Sequence, residues 1–426
     1  MHSLILCAIV DRMAANKRIP LLIISDAVSG PTGLGRIARD LAFGIHRRLN
    51  DVFRIATFGY GAPMDCRLGF PQITAEGVDD FVCPTLPEAW HNFAGDERGI
   101  VLCIWDPSRL SWIAVPDGSP QLKEEKYFPL RQWLENAPFE KWIYCPLDAS
   151  GPNDLLTFPI MKTLRGFDRI LAYSEWGRNI IERTISQPES ELRNLDQLPH
   201  GIDGGVFSRS PNRALIRSVF PTLVKVKSDE YKYRSIKPDE VLIGIVATNQ
   251  SRKDWALGIE TVAILSKAMK VRLWIHTDTI NRNWDIDTLL VDYALRGEHT
   301  MVTTGYLPDD AMAEAYSACD VTLGIGPEGF GFPIFESLFC GTPCVHGNYG
   351  GAPEHMQPSM LVEPYAFRYE GAYSQKRPVY RAQDFADAVA RVVGSRADRP
   401  EHLDWRNLWP RWEAWFRGAA KDLEAK

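Results

Sequence analysis

Short apolar runs alternate with amphipathic stretches along most of the chain. Leu21-Leu22-Ile23-Ile24 is continuously apolar, as a strand covered on both faces must be. The turn-rich Ser29-Gly30-Pro31-Thr32-Gly33 follows it. Leu34, Ile37, Ala38, Leu41, Ile45 and Leu49 then recur at helical spacing and share one face. Phe53–Phe58, Ile100–Trp105, Trp142–Cys145 and Arg169–Tyr173 read as further strands. From Asp203 to Asp239 the pattern lapses, and Arg209, Arg213, Arg217, Lys225, Lys227, Lys232, Arg234 and Lys237 outnumber Asp229 and Glu230. This stretch reads as a linker with a short helix around Arg213–Phe220. Alternation then resumes with strands Val241–Val246, Val271–His276, Met301–Thr304 and Val321–Ile325, and helices Asp254–Lys267 and Pro308–Cys319. A last helix over Trp405–Leu423 carries Trp405, Trp409, Trp412 and Trp415 as one stripe, which predicts packing against the domains.

Strand, helix, strand repetition predicts α/β architecture: two Rossmann-like, doubly wound parallel sheets facing a cleft. The expected boundaries are an N-terminal domain over 1–205, a basic linker over 206–238 and a C-terminal domain over 239–400. Residues 401–426 would return as a helix to the first domain. The length of 426 residues fits two domains, and 45% hydrophobic with 24% charged residues excludes disordered and fibrous chains. A formal charge of −6 argues against a general nucleic-acid binder. The eight cysteines, Cys7 and Cys66 among them, form no C-x-x-C pair and have no His cluster beside them, so no metal site is expected and they read as reduced core residues. The apolar run Ser3–Val10 is too short to span a membrane, and Met13 offers an alternative start. The expectation is a cytoplasmic protein, with peripheral membrane contact left open.

Ligands of open parallel sheets bind at the carboxyl ends of strands, so the loops there are the candidates. Ser29 to Gly35 joins a strand to a helix, where Gly33 and Gly35 let backbone approach an anion. Asn249-Gln250-Ser251-Arg252-Lys253 follows another strand, and its two cations suit a phosphate. Gly326-Pro327-Glu328-Gly329-Phe330-Gly331-Phe332-Pro333 leads into a third helix, with Pro333 in its first turn and Glu336 one turn inside. A carboxylate so placed can accept hydrogen bonds from vicinal hydroxyls. Asp106 and Asp148 end strands of the first domain, with Asp148 the stronger candidate for contact with acceptor or sugar. His276 and His200 are secondary candidates, and Tyr306 and Tyr316 read as core or base-edge packing.

The spacing Glu328-x7-Glu336, enclosing Gly329-Phe330-Gly331 and followed by Gly341-Thr342-Pro343, resembles the signature of glycosyltransferase family 4, retaining nucleotide-sugar enzymes of GT-B fold. Gly33-Leu34-Gly35, Pro199-His200-Gly201-Ile202-Asp203, Arg252-Lys253 and Gly350-Gly351-Ala352-Pro353-Glu354 resemble four further family segments in the same order. The resemblance implies a donor site in which Glu336 holds the ribose, and in which Glu328 and the amides of Gly329, Phe330, Gly331 and Phe332 hold the sugar. Lys253 with Arg252 or Asn249 would hold the diphosphate, with Gly33 and Gly35 closing on it. Glu328, Lys253, Arg252 and Asp148 would form the catalytic set. The family usually places an Arg several residues ahead of the Lys, where this chain has Ala247-Thr248-Asn249. No cofactor beyond a UDP- or GDP-sugar donor is implied, and no required metal.

The acceptor is not legible: a glycan, a lipid-linked hydroxyl, or a hydroxymethylated base in DNA. The cations of Arg209–Lys237 could meet phospholipid head groups or nucleic acid. A nucleotide-sugar epimerase and a non-catalytic nucleotide-sugar binder are the competing classes.

Overall fold

The computed structural model describes residues 18–30, 32–61, 68–75, 81–185, 194–224, 235–297 and 299–425. Ser3–Val10, Met13, Cys66 and the cations Lys225, Lys227, Lys232 and Arg234 lie outside the described residues. Two compact units result: Met1–Leu147 with Leu155–Pro199 and Trp409–Lys426, and Asp148–Asp154 with His200–Leu408. Asp148, assigned from sequence to the first domain, is therefore grouped with the second unit.

The first unit is built on β1 (Ile19–Asp26), β2 (Phe53–Tyr60), β3 (Gln72–Ala75), β4 (Gly99–Cys103), β5 (Phe139–Cys145), β6 (Arg169–Ala172) and β7 (Leu195–Gln197). They form one sheet in the order β3-β2-β1-β4-β5-β6-β7, parallel at every pairing. Leu21 sits between Ile55 and Ile100, and Leu21 to Ile24 are fully buried, which is why this run lacks polar alternation. The helix Gly33–Arg48 starts at Thr32, whose side chain accepts the Gly35 N–H, and buries Ile37, Ala38, Leu41 and Ile45. Its last turn carries His46, Arg47 and Arg48, which complement the helix dipole.

The final helix, Trp405–Glu424, divides its tryptophans. Trp412 and Phe416 are fully buried in the first unit, Trp412 edge-on to Tyr144 at 5.1 Å and Phe416 edge-on to Phe53 at 5.7 Å. The indole N–H groups of Trp412 and Trp415 donate to the Pro199 carbonyl (3.2 Å) and to Asp196 (2.8 Å). Trp405 instead lies in the second unit, with its ring centre 4.7 Å from that of His200. Gly44 accommodates Trp409, since a Cβ there would lie 1.5 Å from Cζ2 of the indole. Gly44→Ala is therefore expected to cost about 1–3 kcal/mol by overpacking, read as a lowered denaturation midpoint; an unchanged midpoint would refute this packing.

The second unit carries β8 (Val241–Val246), β9 (Val271–Thr277), β10 (Thr300–Thr304), β11 (Val321–Gly324), β12 (Cys344–Gly347) and β13 (Leu361–Val362). Their order is β10-β9-β8-β11-β12-β13, again all parallel, so the winding reverses between β8 and β11. The helix Trp255–Ser266 packs with Ala382–Val392, and Asp309–Ala318 packs with both Arg213–Leu223 and Phe332–Phe339. A two-stranded antiparallel hairpin, β14 (Ala366–Glu370) with β15 (Gln375–Val379), was not anticipated from the sequence.

Two expectations change here. Arg213 and Arg217 of the basic stretch both pair with Asp320, and Arg217 also donates to the Ala318 carbonyl (3.0 Å). They anchor the helix Arg213–Leu223, with Arg217 buried and the Arg213 side chain partly exposed. Tyr306 is 63% exposed and is not a core residue, whereas Tyr316 is fully buried. The described cysteines, Cys83, Cys103, Cys145, Cys319, Cys340 and Cys344, are free and buried. No helix among the described residues is long and apolar enough to cross a membrane.

Candidate functional site

The loops leaving β8, β11 and β12 are tied together by their own backbones. The Asp254 N–H donates to the Ile325 carbonyl at 2.6 Å. His346 donates from Nε2 to the Gly326 carbonyl at 2.9 Å, the direction fixed because a carbonyl only accepts. Gly350 lies beside Glu328 in a parallel bridge, and the Gly351 N–H donates to the Glu328 carbonyl at 2.9 Å. Gly350 has φ +97°, and a Cβ there would come within 2.5 Å of that carbonyl. The Gly350-Gly351 pair is thus the backbone clamp that fixes Glu328. Gly331, at φ +89°, then turns the chain into the helix Phe332–Phe339.

This clamp sets Glu328 among cations. Lys253 Nζ pairs with Glu328 Oε1. Arg252 Nη1 lies 3.4 Å from Glu328 Oε2 and donates to the Pro327 carbonyl at 2.9 Å. Arg252 Nε lies 3.2 Å from Asp148 Oδ2. From β15, Arg377 places Nη1 3.8 Å from Asp148 Oδ1, while its Nε donates to Glu370 at 2.9 Å. Carboxylate and cation therefore alternate from Lys253 through Glu328, Arg252, Asp148 and Arg377 to Glu370. The four residues singled out as catalytic in the sequence meet in this one cluster.

Lys253 is 5% exposed. Burial pushes its ammonium down, Arg252 beside it adds to that, and Glu328 pulls partly back, leaving it at about 8. Burial would raise the Glu328 carboxyl, but the charges of Lys253 and Arg252 outweigh burial and hold it well below the usual range. Both groups are charged at neutral pH.

Glu336 is 4% exposed, and its Oε2 accepts the Tyr316 hydroxyl at 2.9 Å. Thr342 donates to the Tyr316 carbonyl at 2.7 Å, so the Gly341-Thr342-Pro343 segment holds the tyrosine that orients Glu336. Phe330 and Phe332 pack edge-on at 5.4 Å, and both contact the ring of His200. His200 is fully buried and serves packing. His276 accepts or donates through Nδ1 to Thr303 at 2.9 Å, and burial pushes its imidazole down to about 4, so it is neutral.

Other candidates are already engaged. Asn249 is fully buried and spends its amide within the protein. Nδ2 donates to the carbonyls of Thr279 (3.1 Å) and Trp284 (2.8 Å), and Oδ1 accepts the Trp284 N–H (3.0 Å). It stitches the loop after β8 to the loop after β9. In the first unit, Asp106 caps the turn Pro107–Arg109 by accepting the Ser108 N–H at 2.8 Å. The Gly35 N–H goes to Thr32 Oγ1 at 3.0 Å, and a Cβ at Gly35 would sit 2.5 Å from the Ala27 carbonyl, so that glycine answers a packing need. Gly33 has nothing within 4 Å of a Cβ position.

Arg377, Glu370 and His346 complete the site and escaped the sequence reading, while Tyr316, read there as core or base-edge packing, is buried against Glu336. For Arg377 and Glu370 the missed signal was the period-two alternation of Phe367 and Tyr369 around a Gly-containing turn, which marks a hairpin. Among the described residues, no group of three or more His, Cys, Asp or Glu could hold a metal ion.

Two α/β units, each a doubly wound parallel sheet, define the GT-B class of fold. Residues 240–395, which contain the whole charged cluster except Asp148, match the family model described as Glycosyl transferases group 1. The chain is similar in fold to Anabaena HepE, solved with UDP and glucose (TM-score 0.65, 13% identity, 94% of this chain and 100% of that chain). It is similar to sucrose-phosphate synthase from Thermosynechococcus elongatus (TM-score 0.64, 15% identity, 94% and 99%). It is also similar to α,α-trehalose 6-phosphate synthase from Burkholderia multivorans (TM-score 0.64, 12% identity, 96% and 99%). No curated protein matches the chain significantly in sequence.

Proposed function

We propose that the chain is a retaining glycosyltransferase that moves a hexose from a nucleotide-diphosphate sugar to a hydroxyl acceptor. The observation that carries this reading is the buried Lys253–Glu328–Arg252 cluster at the carboxyl end of the sheet, inside the segment that matches the glycosyltransferase family. The complexes of HepE with UDP and with UDP-glucose favour a uridine donor over a guanosine one.

Breaking the anomeric C–O bond leaves two charges to stabilise, a diphosphate and an oxocarbenium-like sugar. Lys253 and Arg252 supply positive charge to the diphosphate in a site already depleted of water, where it acts most strongly. Glu328 exchanges Lys253 for sugar hydroxyls as the diphosphate arrives, and the amides of Gly329 to Phe332 assist. Glu336, oriented by Tyr316, holds the ribose. Asp148 and Arg377 keep Arg252 in position. The departing phosphate takes the acceptor proton on the face it leaves, so no protein nucleophile is needed.

The reading is tested by incubating the protein with UDP-glucose and scoring sugar transfer separately from UDP release. Release with no transfer to any hydroxyl acceptor would favour a hydrolase, and C2 inversion an epimerase. The Lys253 ammonium also sets a pH dependence. UDP binding uses the protonated form, which is present below about 8 and lost above it. Calorimetric affinity for UDP is expected to fall as pH rises through that value, and in Lys253→Arg the fall should move to much higher pH.

A further inference from the structure

The hairpin β14–β15 presents two different faces. Arg377 and Glu370 lie on one, joined to Asp148. The other carries Phe367 and Tyr369, and the pairing of the Tyr365 N–H with the Val379 carbonyl (3.0 Å) extends the ladder so that Tyr365 falls in the same row. These three rings are 53%, 44% and 55% exposed in the order Tyr365, Phe367, Tyr369. Alternate residues of a strand span about 7 Å, so the row extends about 14 Å, longer than one sugar ring.

The row is mounted on the segment that carries Asp148. The Lys376 N–H donates to the Ser150 carbonyl at 2.8 Å, and Lys376 Nζ lies 2.8 Å from Asp154. Ser150 and the Tyr349 hydroxyl are 3.0 Å apart, and Tyr349 meets the Phe367 ring at 5.7 Å. Lys376 Nζ sits 4.4 Å over Phe367, and the Arg381 guanidinium 4.6 Å over Tyr365, which fixes two of the three rings.

The hairpin's cations are matched by carboxylates: Lys376 by Asp154, and Arg377 and Arg368 by Glu370 at 2.9 and 3.5 Å. Arg381, over Tyr365, is the one cation beside the row without a carboxylate partner among the described residues, where a nucleic-acid strand or an anionic bilayer would call for several. Exposed rings in a setting where the strand cations are paired and the single unpaired guanidinium is stacked on Tyr365 suit a neutral hydroxyl-rich ligand, whose C–H faces lie on aromatic rings. We infer that Tyr365, Phe367 and Tyr369 form a platform for a neutral oligosaccharide, held on the hairpin face opposite the one that joins Asp148. This binding does not depend on the donor reading proposed above.

The test compares full-length wild type, Phe367→Ala/Tyr369→Ala and Phe367→Tyr/Tyr369→Phe on an array of immobilised neutral oligosaccharides. Wild type is expected to be retained by at least one glycan. The alanine pair should lose about tenfold or more in affinity, and the ring-preserving pair should keep it. The same three proteins are titrated with UDP, and equal UDP affinities show that the donor site and fold are intact. Retention of the alanine pair equal to wild type sinks the platform, as does a wild type that binds UDP but no neutral glycan. Loss confined to labelled oligothymidylate or to phosphatidylglycerol vesicles would transfer the row to nucleic acid or to lipid. Absence of UDP binding by wild type, with glycan retention preserved, would instead count against the proposed donor chemistry.

Discussion

Lys253→Ala is expected to lower UDP-glucose turnover by about 10²–10³-fold, the effect of removing one preorganised partner of a developing charge. The side chain is almost fully buried and faces Glu328, so its ammonium is held in place before any donor arrives. Deleting it also strands a buried carboxylate. Breaking such a pair costs about 3–5 kcal/mol, and Arg252, 3.4 Å from the other oxygen, should hold the loss toward the lower end. The two effects separate in Lys253→Met/Glu328→Gln, which removes both charges. Most of the stability should return and the turnover should not. A double variant as active as wild type would show that neither charge serves the reaction.

A saturating donor should stabilise the wild type but leave Glu336→Ala unmoved. At 100 times its dissociation constant, a ligand adds about 2.7 kcal/mol, visible as a rise in Tm. Without the carboxylate, the ribose loses its acceptor and the buried Tyr316 hydroxyl loses its partner. The second loss alone costs about 1–3 kcal/mol in the absence of donor. Tyr316→Phe is the control: it removes the hydroxyl and keeps Glu336. Its Tm response to UDP-glucose should survive, weakened, because the carboxylate is less firmly oriented. An undiminished response in Glu336→Ala would place the ribose elsewhere.

Strands buried on both faces could be read directly, because a parallel sheet covered by helices has no polar face to interrupt the apolar run. Leu21 to Ile24 and Val241 to Val246 are of this kind. The donor loops were legible because their glycines answer steric demands, as at Gly331 and Gly350. What sequence alone did not separate was ligand from scaffold among polar residues with similar neighbours. Asn249 and Asp106 stand at strand ends like Asp148, yet Asn249 bonds backbone carbonyls, Asp106 caps a turn, and Asp148 meets Arg252. Arg377 was hidden for a different reason. Its partner Asp148 is more than two hundred positions earlier, and nothing local records so distant a pairing.

The first unit is assembled from segments on either side of the second. Phe53, Tyr144 and Trp142 are covered by Phe416, Trp412 and Trp415. During synthesis, the strands of this unit leave the ribosome before the second unit, but their aromatic cover follows it. The first unit is thus completed only after the whole of the second has emerged. A nascent chain must hold that apolar surface in abeyance, a task that falls to chaperones, and early termination near the carboxyl end leaves it bare. A stop codon just ahead of Trp409 would spare every residue of the charged cluster and is expected to deliver an aggregating protein.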